Sequence, residues 1–316
     1  MVQDPNFLNP LLNPIFYPVL WRFIGVFICG LVLIFILNKF RFNGLFSTNV
    51  GRRYISWMWI GVIYLAAIFF GGYPALFFLL VVMALAIWEV SCLTKMPRIY
   101  AIVLYVLAVV SIYITSFHPD YFFSLPLLYF IVLGIVSIRV NDKNGLGDYM
   151  LTFFVSIWII FALSHFILLG HLNNELDNTK MFLILLGFSI ALSDIGAYVV
   201  GKSFSFTPLD KFKIADKISK NKSYAGVLGN ILGAGIGIWI MYFALSNYLG
   251  IYEMILLAVV IGVFGLVGDL TESLFKRYYK AKDSGKWLSG HGGILDRIDS
   301  AMRVIIAVYY TLLFLI

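Results

Sequence analysis

Charged residues are scarce in this sequence. Only 12% of its 316 residues are Asp, Glu, Lys or Arg, whereas a typical soluble domain has about 25%. Hydrophobic residues make up 61% of the chain, and the mean hydropathy is +0.94. This composition excludes a soluble globular protein. It predicts an all-α integral membrane protein, because helices satisfy their own backbone hydrogen bonds within a bilayer.

Cysteine is also nearly absent, since Cys29 and Cys92 are the only two and both lie in or near apolar runs. Two isolated cysteines exclude a disulfide-based fold and a cysteine-rich metal site. The first 18 residues contain Asp4 but no Lys or Arg, which is the wrong charge for a cleaved signal peptide. Four prolines make that stretch a poor helix, so we expect it to be extended or interfacial.

Long apolar runs are what the sequence has in abundance. A run of about 20 residues can cross a bilayer as a helix. The sequence predicts a polytopic bundle of about ten such spans, within a range of nine to eleven, at 19–37, 55–71, 74–91, 99–116, 121–138, 150–169, 181–200, 225–246, 251–270 and 301–316. The first six are almost wholly apolar, which indicates a scaffold at 1–180. Embedded polar residues begin after that, so we place a catalytic region at 181–316.

Positive charge alternates along these predicted spans. Apart from Arg22 and Lys180, the Lys and Arg residues lie in or beside the loops that follow the odd-numbered spans. Positive loops face the cytoplasm, so both termini are predicted outside, in a membrane that we expect to be the bacterial cytoplasmic (inner) membrane. The net charge of +7 is thus a basic cytoplasmic face suited to anionic lipids and nucleotide phosphates. Nothing besides charge supports a nucleic-acid partner.

The segment 273–299 gathers polar chemistry beside a span. Its polar and glycine residues include Lys276, Arg277, Lys280, Lys282, Asp283, Lys286, His291, Gly292, Gly293, Asp296, Arg297 and Asp299. Cations neutralise phosphate oxygens, carboxylates hold Mg²⁺, and glycines let backbone N–H groups approach. A basic loop attracted to anionic lipid would explain the lysines, but it would not explain the interleaved acids and glycines.

Two further acids lie at membrane depth. Asp194 is inside the seventh predicted span, and Asp269 ends the ninth. A carboxylate in the bilayer costs about 2.5–3.5 kcal/mol, so each needs a partner or a wet cavity. Because both reach one membrane level from separate helices, they could clamp Mg²⁺ between them. The alternatives are interhelical hydrogen bonds for Asp194, and for Asp269 a salt bridge to Lys276 or Arg277.

Four other polar residues have more than one reading. Asp296 and Asp299 are three residues apart, so a helical turn presents both on one face. They either add to a metal site or orient neighbouring Arg and Lys side chains, and the sequence does not choose. His291 is better placed for a phosphate or ribose than for zinc, because no second His or Cys lies nearby. His165 is expected to be a hydrogen-bonded packing residue.

Glu89 lies late in the third predicted span. We expect it to be a counter-charge for Lys95 or Arg98 at the membrane interface. We do not assign it to catalysis.

A long motif in this chain resembles the signature of the phosphatidate cytidylyltransferases. The motif comprises Ser273, Phe275, Lys276, Arg277, Lys282, Asp283, Gly285, Leu288, His291, Gly292, Gly293, Asp296, Arg297 and Asp299. About a dozen residues at set spacing are far more specific than a lone glycine-rich loop. The strings around Asp194 and Asp269 resemble the same family. The resemblance implies transfer of a cytidylyl group from CTP to phosphatidic acid, giving CDP-diacylglycerol and pyrophosphate.

The resemblance also implies a role for each matching residue. The catalytic set is Asp194, Asp269, Lys276, Arg277, Asp296 and Arg297. The substrate-binding set is Ser193, Lys202, Ser219, Lys222, Ser223, Ser273, Lys282, Asp283, His291, Gly292 and Gly293. Lys202 and Lys222 belong to it because the basic loop 201–223 could hold the CTP triphosphate or the lipid phosphate, and the alternative for that loop is a solvated basic segment. The ligands of Mg²⁺ are Asp194 and Asp269, with Asp296 and Asp299 as further candidates and a second cation as an option. The partners are CTP, phosphatidic acid or a similar lipid phosphate, and membrane lipids, with a homodimer left open.

The basic loop 201–223 and the residues after it depart from the family pattern. The usual string is roughly Ser-Pro-Lys-Lys-Thr-x-Glu-Gly, and Lys220 and Ala225 replace its Pro and Glu. Loss of that carboxylate could weaken nucleotide or metal binding, or shift the substrate preference. Two alternatives therefore stand beside the phosphatidate reaction: a CTP-dependent enzyme acting on an ether lipid phosphate or a polyprenyl lipid, and an inactive membrane paralogue.

Overall fold

The computed structural model is a bundle of α-helices. It describes Leu11 and residues 13–37, 49–140, 144–172, 179–204, 213–216, 218–245, 249–285 and 292–315. The helices are α1 (Phe16–Leu37), α2 (Asn49–Phe70), α3 (Gly72–Thr94), α4 (Arg98–Phe117), α5 (Leu125–Val140), α6 (Gly145–Val155), α7 (Ala162–His171), α8 (Thr179–Ser203), α9 (Tyr224–Ile240), α10 (Tyr242–Leu245), α11 (Ile251–Tyr278) and α12 (Leu295–Leu315). The predicted all-α polytopic fold is confirmed, and the chain is an integral membrane protein.

Each of the ten predicted spans coincides with an apolar helical segment. Among the described residues, eight segments are long and apolar enough to cross a membrane. One of them joins α6 and α7 through a π-helical stretch at Ser156–Phe161, and another joins a 3₁₀ turn at Pro119–Ser124 to α5. The remaining two, Tyr54–Phe70 and Tyr224–Ile240, are shorter apolar helices. At about 1.5 Å per residue they reach less far than the other eight.

A small hairpin precedes α9. Strand β1 (Lys213–Ala215) pairs antiparallel with β2 (Ser219–Ser223), with Lys213 opposite Ser223 and Ala215 opposite Ser219. Strand β2 runs directly into α9, so residues near its end are held at the start of a helix. This connection places Lys222 beside Asp269 of α11.

Helices α8 and α9 approach each other through glycine. A Cβ on Gly233 would overlap the Leu192 carbonyl oxygen, and one on Gly196 would overlap the Gly229 carbonyl oxygen. Similar close contacts join α9 to α11 at Gly262, and α11 to α12 at Gly268. Small residues allow such backbone contact between membrane helices. Helices α8, α9, α11 and α12 therefore form a tight group that brings their polar residues together.

The core of the bundle is apolar and aromatic. Its largest fully buried side chains include Trp158, Tyr100 and Tyr129. His165 is also fully buried, with Nδ1 at 2.9 Å from the Phe161 carbonyl oxygen and its ring edge-on to Phe122. The prediction that His165 is a hydrogen-bonded packing residue is confirmed.

The two basic residues outside the predicted cytoplasmic loops both bind carbonyl groups near helix ends. Arg22 Nε donates to the carbonyl oxygen of Ile240, the last residue of α9, at 2.8 Å, and Lys180 Nζ donates to that of Phe69 in α2 at 3.0 Å. The last carbonyls of a helix lack intrahelical donors and favour a cation. This role accounts for their departure from the charge pattern.

Candidate active site

Polar side chains from four helices and the hairpin meet in one region of the bundle. The residues are Glu89 of α3, Asp194 of α8, Lys222 of β2, Asp269, Glu272 and Lys276 of α11, Ser284 of the segment after α11, and Asp296 and Asp299 of α12. They form two groups, which we call the acidic centre (Asp194, Asp269, Asp299 and Lys222) and the loop clasp (Glu89, Glu272, Lys276, Ser284 and Asp296). Glu89 lies in the region predicted as scaffold, so the site draws on both predicted regions.

The acidic centre contains three carboxylates and one ammonium group. Lys222 Nζ forms an ion pair with Asp269 Oδ2, and about a quarter of each side chain is exposed (26% and 27%). Asp194 lies close enough to Asp299, Lys222 and Arg297 to interact with their charges. The expected alternative for Asp269, a salt bridge to Lys276 or Arg277, is not what the structure shows. Its partner comes from the hairpin instead.

Lys222 is subject to opposing electrostatic effects. Burial lowers the pKa of its ammonium group, while the charges of Asp194, Asp299 and Glu272 oppose that shift. A desolvated ammonium is stabilised by close anions. If a bound cation neutralised these carboxylates, the Lys222 ammonium group would be free to pair with a phosphate group.

The donors in the acidic centre suit a hard divalent cation. Asp194 and Asp299 are like charges facing each other from α8 and α12. The neighbouring Ser193 hydroxyl is buried and lacks a hydrogen-bond partner among the described residues, and the buried Ser300 side chain lies within reach of the Asp194 carboxylate. No group of three His, Cys, Asp or Glu side chains in the described part of the chain is arranged to hold a metal. Mg²⁺ commonly takes only one or two carboxylates, with phosphate oxygens and water completing its shell.

In the loop clasp, Lys276 joins α11 to α12. Its ammonium group forms ion pairs with Glu272 one turn earlier on α11 and with Asp296 Oδ1 on α12. Asp296 Oδ2 accepts hydrogen bonds from the backbone N–H groups of Ser284 and Gly293, at 3.0 and 2.7 Å. In this arrangement Asp296 orients Lys276 and the loop, whereas Asp299, one turn later, faces Asp194.

The third carboxylate of the clasp is that of Glu89, which is only 2% exposed. It accepts hydrogen bonds from Ser284 Oγ at 2.9 Å, from the Ile294 N–H at 2.7 Å and from the Leu295 N–H at 2.9 Å. The expectation that Glu89 is a counter-charge for Lys95 or Arg98 is therefore wrong. A carboxylate late in an apolar span was the available signal, but the chain order gave no sign of a partner some 200 residues away.

The glycines of the motif leave space for these carboxylates, because any side chain at either position would overlap a carboxylate oxygen. Gly292 has φ of +79°, in the left-handed region, and a Cβ there would overlap Asp296 Oδ2. A Cβ on Gly293 would overlap Glu89 Oε2. We expected both glycines to face a phosphate. In the structure the Gly293 N–H group donates to Asp296, and His291 lies outside the described residues.

The two arginines predicted to be catalytic, Arg277 and Arg297, are not members of the acidic centre or the loop clasp. Arg277 is exposed and donates through Nη1 to the Ala281 carbonyl oxygen at 3.0 Å, and through Nε to that of Ile218 at 3.5 Å. It thus ties the hairpin to the end of α11. The Arg297 guanidinium lies 6.0 Å from the centre of the Trp57 ring and interacts with the charges of Asp194 and Asp299.

The remaining predicted substrate-binding residues belong to α8, the hairpin, α11 and the segment after α11. Lys202 Nζ is 5.7 Å from the centre of the Tyr198 ring near the end of α8, and Ser219 pairs with Ala215 in the hairpin. Ser273 is half-buried on α11, while Lys282 and Asp283 are exposed in the segment after that helix. Lys202, Lys282 and Asp283 are exposed and are therefore accessible to a ligand.

Ser223 is the N-cap of α9, a role that the sequence interpretation missed. It is buried, and its Oγ accepts a hydrogen bond from the Gly226 N–H at 3.4 Å. We expect Ser223→Ala to lower the free energy of unfolding by about 1 kcal/mol, whereas Ser223→Asn should retain the cap. Thermal unfolding in detergent measures both. Equal losses in the two variants would show that the hydroxyl has another task, and the KM for CTP would then be the next quantity to compare.

Comparisons with known proteins identify the family of this chain. Residues 51–315 match the cytidylyltransferase family. A phosphatidate cytidylyltransferase of Bacillus subtilis is 28% identical over 271 residues, which cover 84% of this chain and 98% of the relative. Relatives of the same name from Staphylococcus haemolyticus and Staphylococcus epidermidis are 41% and 42% identical over 114 and 123 residues.

The staphylococcal matches are shorter than the Bacillus match. They cover 36% and 39% of this chain, and 42% and 45% of the two relatives, so the chain matches less than half of the length of either. The family match is much longer and includes every residue of the acidic centre and the loop clasp. The chain therefore belongs to the cytidylyltransferase family, a family of nucleotidyltransferase enzymes.

Proposed function

We propose that this protein transfers the cytidylyl group of CTP to phosphatidic acid and releases CDP-diacylglycerol and pyrophosphate. The observation that carries the proposal is the acidic centre, in which Asp194, Asp269 and Asp299 surround Lys222 beside Arg297. Carboxylates and cations at such close quarters suit a polyphosphate and its metal ion. Family membership and the activity for which the relatives are named support the same reaction.

The proposed reaction is a displacement at phosphorus. An oxygen of the lipid phosphate bonds to the α-phosphorus of CTP, and the bond from that phosphorus to the bridging oxygen of the β-phosphate breaks. Pyrophosphate leaves with that oxygen. The attacking phosphomonoester is already an anion, so no strong general base is needed. The main task of the protein is to bring several negative groups together in line.

The side chains divide this task between them. Lys222 and Arg297 neutralise phosphate oxygens, and one or two of the carboxylates of Asp194, Asp269 and Asp299 would hold Mg²⁺. When bound, Mg²⁺ supplies charge stabilisation for the phosphoryl oxygens and orients them. Lys222 is paired with Asp269 in the structure, so we infer that its ammonium group turns toward the triphosphate when CTP binds.

The proposed site faces the cytoplasm of a bacterial inner membrane. The alternation of positive loops supports this orientation, with both termini outside. The arrangement would let the lipid phosphate arrive within the membrane plane while CTP arrives from water. A homodimer is compatible with this placement.

The test uses purified protein in mixed micelles with Mg²⁺ and CTP that is ³²P-labelled at either the α- or the γ-position. Three acceptors are compared: phosphatidic acid, an ether-linked analogue of it, and a polyprenol. We expect α-label in lipid only with phosphatidic acid, or at a much higher rate with it. The altered residues Lys220 and Ala225 make the ether-linked acceptor the main competitor.

Each other outcome would point to a different activity. Preferential α-labelling of the ether lipid would show that the protein transfers a cytidylyl group, but to an ether lipid phosphate and not to phosphatidic acid. Label transferred from the γ-position would indicate a kinase instead. Absence of any labelled lipid from folded protein would contradict the proposal and favour an inactive paralogue.

A further inference from the structure

We propose that Glu89 is a positioning residue for the active site. Its carboxylate, on a helix of the predicted scaffold, holds the N-terminus of α12 and the glycine-containing loop before it. Through them it keeps Asp296 and Asp299 in register with Lys276 and Asp194. The catalytic consequence rests on the proposed function, but the structural part can be tested without any assay of activity.

Glu89 makes contacts that tie distant parts of the chain together. The three groups that donate to it belong to Ser284, Ile294 and Leu295, which are 195 to 206 residues further along the sequence. A carboxylate that is 2% exposed is strongly destabilised unless hydrogen bonds satisfy it. These three donors satisfy it, so burial of Glu89 and placement of the loop depend on each other.

The start of α12 has a particular need for such a group. The first N–H groups of a helix lack intrahelical acceptors, and an anion there is favoured by the helix dipole. Glu89 accepts two of these donors, from Ile294 and from Leu295, the first residue of α12. An anion from another helix therefore acts as the cap of α12.

The packing around the carboxylate leaves little freedom. A Cβ on Gly285 would lie 2.8 Å from Glu89 Oε1, and one on Gly293 would overlap Glu89 Oε2. Ser284 Oγ lies 2.9 Å from Glu89 Oε2 and 2.8 Å from Asp296 Oδ2, so one hydroxyl bridges the two carboxylates. Movement of Glu89 would therefore be transmitted to Asp296 through Ser284.

Asp299 is affected through the helix itself. It lies one turn after Asp296 and faces Asp194, while its backbone contacts α11 at Gly268. A helix is stiff over one turn, so a shifted N-terminus shifts both carboxylates. A displacement of about 1 Å in a catalytic arrangement can cost on the order of a hundredfold in rate.

The test compares Glu89→Gln with Ser91→Ala, a matched control on α3. Ser91 Oγ donates within its own helix, to the Ile87 carbonyl oxygen at 2.7 Å, and not to the loop. Hydrogen exchange of peptides that cover residues 284–299 is measured by mass spectrometry in micelles, without substrate. We expect exchange in Glu89→Gln to be at least about tenfold faster there than in the wild type. It should be unchanged in α4 and α9 and throughout the control.

The kinetic measurement separates positioning from a general loss of fold. In Glu89→Gln, kcat should fall, and the Mg²⁺ concentration for half-maximal activity should rise, by about tenfold or more. The KM for CTP should change by less than about threefold. A variant that merely contains less folded protein would lower the total rate but leave the Mg²⁺ midpoint unchanged, and that result would overturn the proposal.

A second variant covers the case in which Glu89→Gln does not fold. Ser284→Ala removes one donor from the clasp and keeps the charge of Glu89, so we expect the same changes with smaller amplitude. Unchanged exchange at 284–299 in both variants, or in Ser284→Ala alone if Glu89→Gln is unfolded, would overturn the proposal. Failure of the wild type to label any lipid would instead count against the proposed function, and the exchange result would still test the clasp.

Discussion

Asp194→Asn is expected to lower the rate of cytidylyl transfer by at least about a hundredfold, the range seen when one electrostatic contact to a transition state is lost. Asn keeps the shape of the side chain but removes the negative charge that, with Asp299, would hold Mg²⁺. The measurement is kcat with α-labelled CTP over a series of Mg²⁺ concentrations. The apparent requirement for Mg²⁺ should rise in parallel.

The same substitution should not destabilise the fold. Asp194 and Asp299 are like charges at close range, so replacing one by a neutral amide removes repulsion. We therefore expect an unchanged or higher Tm together with lost activity, a combination typical of groups kept for function at the expense of stability.

The matched control for this prediction is Asp216→Asn. Asp216 is an exposed acid of the β1–β2 turn, and its substitution should leave both activity and Tm near those of the wild type. Activity of Asp194→Asn within about threefold of the wild type, at limiting Mg²⁺, would rule out the carboxylate as a metal ligand.

Gly233→Ala is expected to have the largest effect on stability. Its new Cβ would overlap the Leu192 carbonyl oxygen and lie 2.9 Å from the Ser193 Cα. Both contacts are to backbone, so no side chain can turn aside, and α8 and α9 must separate. Overpacking of this kind costs typically 1–3 kcal/mol and sometimes more. Activity should fall as well, because Asp194 directly follows Ser193, whose backbone the new Cβ would displace.

Gly235→Ala, two residues along the same helix, is the control for this change. Its Cβ would meet only the Ala258 Cβ, at 3.8 Å, which is ordinary van der Waals contact. Alanine favours a helix over glycine by about 1 kcal/mol, so this variant should be as stable as the wild type or slightly more stable. Thermal unfolding in one detergent compares the two, and equal Tm values for both variants would contradict the close contact of α8 with α9.

Much of the architecture could be predicted from composition and periodicity. Each of the ten predicted spans matches an apolar helical segment, because a hydrophobic run of bilayer length has few alternatives to a helix. The spacing also predicted that Asp194 and Asp269 approach each other from two different helices, and both interact with Lys222 in the structure. A carboxylate inside an apolar run is conspicuous against its neighbours, whatever the fold around it.

The partners of those carboxylates could not be predicted in the same way. Asp269 was expected to be paired, if at all, with a cation in the next turns of its own helix, but Lys222 of the hairpin takes that place. Which side chains meet depends on how the helices pack, and that is governed by backbone contacts such as those at Gly233 and Gly268. Local spacing along one helix carries no information on this.

Sequence alone thus decided that the chain is a helical membrane protein and indicated phosphate chemistry, because hydrophobic runs and motif spacing are local properties. Only the tertiary structure decided that Glu89, Ser284 and Asp296 form one clasp, and that Asp299 rather than Asp296 faces Asp194. The physical reason is that a buried charge must be satisfied by whichever donor the packing brings within about 3 Å. That donor can come from any part of the chain.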